Sequence, residues 1–340
     1  MKLYAITIKP ESPFGTPLKG DTLFGSFCWQ AALDRDLLTG GLDHWIESYR
    51  EKPFLVLSSA FPKIVDDDGD ITYALPRPAL PPSWIGPDDT GSCAERLKFR
   101  KEKKTRRWLL TGSDLRVDLC WDNLIDDREL GRRICAMLGT DSDDGGFVRF
   151  FEQSHNTINR LTSTTGKGFF APYSMSNFVY RPGMELVLLA LVNEEALGED
   201  SLVTGLERIG FYGYGRDAST GLGRFGIGEC EEIPSPLSGS ANALLTLGPC
   251  VPGAEEYEQA WFSPFTRFGR HGSQLLHIGK PFKNPVVMAD EGAVFRPKTE
   301  EQLSKPYMGK AVTGVSKAQE KAVCQGYTIV VPMKLPVKEA

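Results

Sequence analysis

The chain has 340 residues, 41% of them hydrophobic and 24% charged, with a net charge of −5. That length is enough for two cores, the composition is ordinary for a soluble globular protein, and the charge excludes a uniformly basic nucleic-acid glove. The longest apolar run, residues 186–192 (LVLLALV), is too short to span a bilayer, so no membrane partner is expected.

The start, MKLYAITIKPESP, has neither a sustained apolar stretch nor a small-residue cleavage site, and reads as no secretory signal. Tyr4, Ile6 and Ile8 alternate with Leu3, Ala5 and Thr7 and predict an opening strand. After a Pro/Gly-rich turn, Asp21 reads as an N-cap, and Leu23, Phe24, Phe27, Cys28, Ala31 and Ala32 give a helix one apolar stripe. Residues 54–58 read as a second strand, which begins the βαββαβ pattern of a ferredoxin-like fold. Residues 60–165 read as a large insertion, Pro-rich, then basic, then acidic and helical. The core pattern resumes with strands at 169–172 and 178–192, an amphipathic helix at 201–209, a glycine loop and a strand at 224–230. Residues 233–241 are a linker by composition, and strands are expected beyond it at 243–247, 286–288, 293–295 and 327–333.

Residues 208–228 read RIGFYGYGRDASTGLGRFGIG, with seven glycines in 21 positions. Glycine opens positive φ and lets backbone N–H groups face an anion; Arg216, Arg224, Ser219 and Thr220 add phosphate donors. A hairpin with no ligand is the plainer reading. Residues 155–167 (HNTINRLTSTTGK) pack donors densely, as suits backbone and 2′-hydroxyl contacts to RNA, or simply a polar loop. This is no Walker loop, because Gly168 stands where Ser or Thr is needed. His155 is the one candidate for a general base. Residues 96–107 hold eight basic side chains and one acid, which fits a helix touching RNA backbone or a solvated face. Residues 141–152 carry acids at calcium-loop positions one, three and twelve, but Gly145 and Arg149 weaken the ligand set, and a capping loop is the preferred reading. Arg267, Arg270, His271 and Lys280 lie near Phe262, Phe265 and Phe268, which read as core side chains rather than stacking ones. Seven cysteines without a CxxC pair argue for reduced thiols in the cytoplasm, and neither they nor His271 and His277 make a zinc site.

Taken in order, PLKGDTLFGSFC (17–28), HNTINRLTSTTGKGFFAPY (155–173), GYGRDASTGLGRF (213–225) and QGYTIVVPMKL (325–335) resemble the RAMP superfamily of CRISPR proteins. Within it they are most similar to the Cas-five-like subunit-four family of type III-A Csm effector complexes. The resemblance implies an α+β chain of two tandem ferredoxin-like (RRM-type) domains, 1–235 with the insertion and 236–340. It implies a non-catalytic subunit that binds the crRNA 5′ tag between a large polymerase/cyclase subunit and a backbone RAMP subunit, with target RNA nearby and no cofactor or metal. By motif position the tag site would be lined by His155, Asn156, Arg160, Thr162, Ser163, Thr164, Thr165 and Lys167. Gly213, Tyr214, Gly215, Arg216, Ser219, Thr220, Gly221, Gly223 and Arg224 would complete it, with Lys19, Asp21 and Thr22 close by. Lys98, Arg100, Lys103, Lys104, Arg106, Arg107, Arg267, Arg270 and His271 are outlying candidates. The alternative is a metal-independent endoribonuclease that processes precursor crRNA, with His155 as base and Lys167 as partner.

Overall fold

A computed structural model describes residues 1–86, 92–140, 146–236, 239–272 and 281–335. The chain runs β1 (Lys2–Pro10), α1 (Gly20–Leu33), α2 (Leu42–Ser48), β2 (Leu55–Val65), β3 (Ile71–Pro76), α3 (Cys93–Thr105), β4 (Trp108–Gly112), β5 (Leu124–Ile125), α4 (Asp127–Met137), β6 (Val148–His155), β7 (Tyr173–Tyr180), β8 (Glu185–Val192), α5 (Glu199–Tyr212) and β9 (Phe225–Ile233). It continues with β10 (Ala243–Thr246), β11 (Tyr257–Trp261), β12 (Pro264–Arg267), β13 (Val286–Ala289), β14 (Val294–Pro297), α6 (Glu300–Ser304), β15 (Tyr307–Gly309) and β16 (Tyr327–Met333).

The architecture is α+β with antiparallel sheets. β2, β8, β1 and β9 pair in that order, with α1 after β1 and α5 after β8, which is the connectivity of a βαββαβ unit. The apolar run 186–192 becomes β8, buried along nearly its whole length because strands flank it and core covers both faces. β3, β4 and β5 extend the same sheet past β2 to seven strands. Part of the stretch expected as an insertion therefore belongs to the core sheet, with Tyr73, Ala74, Leu75 and Leu109 buried. Residues 169–172 are not a strand: a 3₁₀ turn at Gly168–Phe170 occupies them, and the expected strand 178–192 breaks between β7 and β8. β6 and β7 instead make a separate two-stranded ribbon, rooted by Phe14, Phe178 and Tyr180, whose ring centroids lie 5.5–5.9 Å apart.

The second sheet has the order β11–β14–β10–β16–β15. Its strands β11, β14, β10 and β16 repeat the order of the first unit. An irregular segment replaces the helix after β10, however, and the second helix is only the short α6. The two sheets share a core, since Leu247, Tyr327, Ile329 and Val331 pack into the cluster formed by β1, β2 and β8.

Polar contacts stitch the seam between the sheets at the irregular middle of β2. The buried Gln325 side chain accepts from Leu57 N–H (3.0 Å) and donates to Leu57 C=O (2.8 Å). Gly20 begins α1 here because a Cβ would stand 2.1 Å from the Leu57 carbonyl. Asp21 is not the N-cap; that position is Lys19, and Asp21 is 2% exposed at the side chain. Its carboxylate takes a fork from Arg267, Nε at 2.5 Å and Nη2 at 2.8 Å. Lys19 Nζ lies 2.9 Å from Glu291 and also bonds Asp290. Burial works against the Lys19 charge, but these two carboxylates outweigh it and raise the lysine above its ordinary value. Glu291 is held well above the usual carboxyl range by burial and by its neighbour Asp290. Asp290, despite its own burial, is held low by bonds from Glu291 and Lys19.

Replacing Lys19 by Met leaves the half-buried Asp290 and Glu291 carboxyls without their cation and should cost about 1–3 kcal/mol at neutral pH. Without the cation both carboxyls have raised folded-state pKa values, so the fold is favoured below the unfolded pKa and loses that support as pH rises. Thermal melts should show the Lys19→Met deficit shrinking toward about pH 5; a deficit equal at acid and alkaline pH would contradict the assignment.

Candidate nucleic-acid interface

α5 ends at Gly213, whose N–H reaches Ile209 C=O at 3.0 Å, and the glycine loop then folds back on the β1–α1 connection. Tyr214 is buried, donates its OH to Pro17 C=O at 2.9 Å, and pairs its N–H with Gly223 C=O at 2.9 Å. Burial, with Asp21 nearby, pushes its phenol far above the usual range, so the hydroxyl stays a donor. Gly223 has φ +73°, and a Cβ there would stand 2.1 Å from the Tyr214 carbonyl, so no other residue closes the loop this way. The N–H of Gly223 goes to Pro13 C=O, that of Arg224 to Ser12 Oγ, and that of Arg216 to Thr16 Oγ1. The expected bed of free N–H groups is therefore largely used by the fold itself.

The two loop arginines diverge. The Arg216 guanidinium bonds Ser176 C=O and, at 2.7 Å, Asn177 Oδ1 on β7, with Asp217 3.4 Å from its Nε. Asn177 is buried and passes the link to Gln153 on β6 at 2.8 Å. Arg216 is thus a clamp on the ribbon. Arg224 is exposed and its side chain has no polar partner among the described residues. Ser219 and Thr220 are exposed, with Thr220 Oγ1 donating to Asp217 C=O at 2.8 Å.

The donor-rich segment 155–167 forms the far end of the ribbon. Asn159 N–H bonds Thr164 C=O at 3.0 Å, and the Thr162 and Thr164 hydroxyls meet at 3.0 Å. Asn156, Arg160, Thr162, Ser163, Thr164, Thr165 and Lys167 are all exposed, and Leu161 at the tip is 96% exposed. His155 stacks on Tyr173 with centroids 5.2 Å apart and planes at 10°, and no hydrogen-bond partner reaches its Nε2. The glycine loop grips the ribbon at residues 176–177, so Tyr173 lies roughly 10 Å further along the strand and the tip beyond it. The two motifs are joined through Arg216, not merged into one pocket.

Several other candidates have structural partners. Lys19, Asp21 and Arg267 are matched inside the seam, and Thr22 is half-buried on the same turn. His271 is buried against Ser316, 2.7 Å away. That hydroxyl already accepts the N–H groups of Ala318 and Gln319, so its proton points at His271 Nε2. Burial, then Lys283, lowers the His271 pKa, in keeping with a neutral ring. The basic run is α3, started by a Ser92–Glu95 capping box. Arg106 forks onto the carbonyls of Trp121 and Leu124 and lies 4.0 Å over the Trp121 ring, while Arg107 pairs with Asp127. Lys103 is buried, whereas Lys98, Arg100 and Lys104 are exposed. Arg270 is exposed over the Phe282 ring at 5.5 Å. Phe262 and Phe268, expected in the core, are 41% and 75% exposed. The calcium-loop residues 141–145, and Lys280 and His277, fall outside the described residues, and Arg149 and Glu152 are on β6. Among the described residues no metal-binding cluster of His, Cys, Asp or Glu occurs, and no helix is long and apolar enough to cross a membrane.

Phe211 and Tyr212, at the end of α5, are large exposed aromatics that motif reading passed over. They fall off the buried stripe of Leu202, Leu206 and Ile209, a signal that the helical period alone carries.

The first unit is thus a βαββαβ sheet with a glycine loop between its second helix and last strand. No family model matches the chain, and no curated protein matches it by sequence. Solved structures do match. A chain of a Csm3–Csm4 subcomplex from a type III-A CRISPR-Cas interference complex aligns with a TM-score of 0.60 at 15% identity, covering 98% of this chain and 100% of that one. A Csm1–Csm4 cassette in complex with pppApA gives 0.54 at 15% identity over 99% and 100%, and one with cA4 gives 0.53 at 14% over 100% of both. The protein has the fold of Csm4 along its whole length.

The arginines predict separable phenotypes. Arg224→Ala should leave the melting temperature unchanged and weaken single-stranded RNA binding by about 1–3 kcal/mol. Arg216→Ala should speed amide exchange across residues 173–177 before any effect on RNA is considered. Equal exchange in the two variants would remove the clamp.

Proposed function

We propose that this protein is a non-catalytic subunit of a type III CRISPR effector complex. It holds the 5′ tag of crRNA and joins the large polymerase/cyclase subunit to the backbone RAMP subunits, close to the target RNA, in the cytoplasm. The observation that carries this reading is the end-to-end likeness to Csm4, a protein found with Csm1 in some solved assemblies and with Csm3 in another. A single fold that meets two different neighbours fits a linker between them. The outward groups of the interface agree with the RNA part. Arg224, Arg160 and Lys167 are exposed, with hydroxyls between them and an aromatic face at His155 and Tyr173. These groups suit a phosphate track with stacked or splayed bases. His155 contributes a flat ring to that face, a role that needs no acid–base partner.

Purified protein should bind tagged crRNA more tightly than the same RNA without its tag. It should also co-purify with the large and the backbone subunits when the three are co-expressed. Precursor RNA incubated with the protein in EDTA should stay intact. A discrete product that disappears in His155→Ala would overturn the proposal in favour of an endoribonuclease.

A further inference from the structure

Phe211 and Tyr212 are 69% and 65% exposed, an unusual place for two adjacent large aromatics. Their rings meet edge to face at 5.3 Å, so each stiffens the other while leaving ring surface to solvent. They sit where the helix runs into the glycine loop. A Cβ on Gly210 would stand 1.9 Å from the Phe225 carbonyl, so the end of α5 presses on the start of β9. That contact brings Arg224, the residue before Phe225, to the same end of the fold. The loop that joins them carries the exposed hydroxyls of Ser219 and Thr220, and Gly221, around whose Cβ position there is open space.

We infer that Phe211 and Tyr212 form a ledge on which an unpaired nucleobase of the bound RNA stacks, with an adjoining phosphate on Arg224. This deepens the RNA-holding reading above and rests on it. The chemistry favours RNA over a protein partner. A flat π-surface, a glycine-smooth backbone, two hydroxyls and one unpaired guanidinium match the base, ribose and phosphate of a single nucleotide. Glu207, one turn back on α5, and Glu11, beside Gly226, border the site, so the ledge is no general anion trap. Affinity there comes from stacking with one charge contact.

The test uses the full chain and a short single-stranded RNA carrying 2-aminopurine. Phe211→Ala/Tyr212→Ala should weaken binding roughly tenfold or more and abolish quenching of the probe. Phe211→Trp and Tyr212→Phe should retain both, and melting temperatures should not move because the side chains are exposed. If Arg224→Glu weakens binding while the alanine pair binds and quenches as the parent does, the ledge is wrong and the RNA-holding reading stands. If neither variant changes affinity, the ledge is overturned, and the RNA-holding reading is decided by the comparison of tagged and untagged crRNA. If the alanine pair keeps RNA but loses the large or backbone subunit in pull-downs, the aromatics are a protein-docking patch and the ledge is overturned.

Discussion

Residues 13–21, which run from the β1–α1 connection into the first turn of α1, hold the rest of the molecule in register. Two prolines in it lack N–H groups but present carbonyls at fixed φ. Pro13 C=O takes the Gly223 N–H, and Pro17 C=O takes the Tyr214 hydroxyl. Phe14 pairs both of its backbone groups with Phe178 on β7. Thr16 holds Arg216 N–H, and Leu18 C=O takes Ala60 N–H from β2. Lys19 and Asp21 then reach the second unit through Asp290 and Glu291, between β13 and β14, and Arg267 on β12. One short segment therefore fixes the glycine loop, the β6–β7 ribbon, the middle strand of the core sheet and the second unit relative to one another.

A loop tied at so many points is a mould, not a hinge. Its conformation is set before any ligand arrives, so binding forfeits little backbone entropy. The same ties change which chemistry faces outward. Most backbone donors of the loop point into the protein, and what remains for a ligand is side-chain chemistry: hydroxyls, a guanidinium and aromatic rings. Such a surface has the chemistry for shape and stacking contacts rather than for gripping a bare anion.

Local periodicity made much of this legible. The alternation at Tyr4, Ile6 and Ile8, the stripe through Leu23, Phe24 and Phe27, and the strand at 327–333 all reappear as elements. So does the order of the first βαββαβ unit, because each piece announces its own period. Pairings between distant residues were not legible. Asp21 looks like a cap in sequence, since Asp before an apolar stripe usually is one. Its partner Arg267 lies 246 positions away, and nothing local announces it. Arg216 looks like a phosphate donor until Asn177 and Ser176 arrive from β7. The strands β3 and β4 were hidden because they are short and flanked by proline and charge, so their alternation has few residues in which to show.

Charge, sorted by burial, separates architecture from interface. Arg267, Lys19, Arg106 and Arg216 each lie where a carboxylate, a carbonyl or an aromatic ring completes them. Desolvating a cation without such a partner would cost more than the fold can supply. Arg224, Arg160, Lys167, Lys98 and Lys104 remain on the surface, spread over the loop, the ribbon tip and α3. A chain of net charge −5 thereby carries local positive groups without a global positive field. Long-range attraction for a polyanion is correspondingly weak, so under the proposed function selectivity for an RNA end rests on short-range fit on surfaces that the buried charges have already fixed in place.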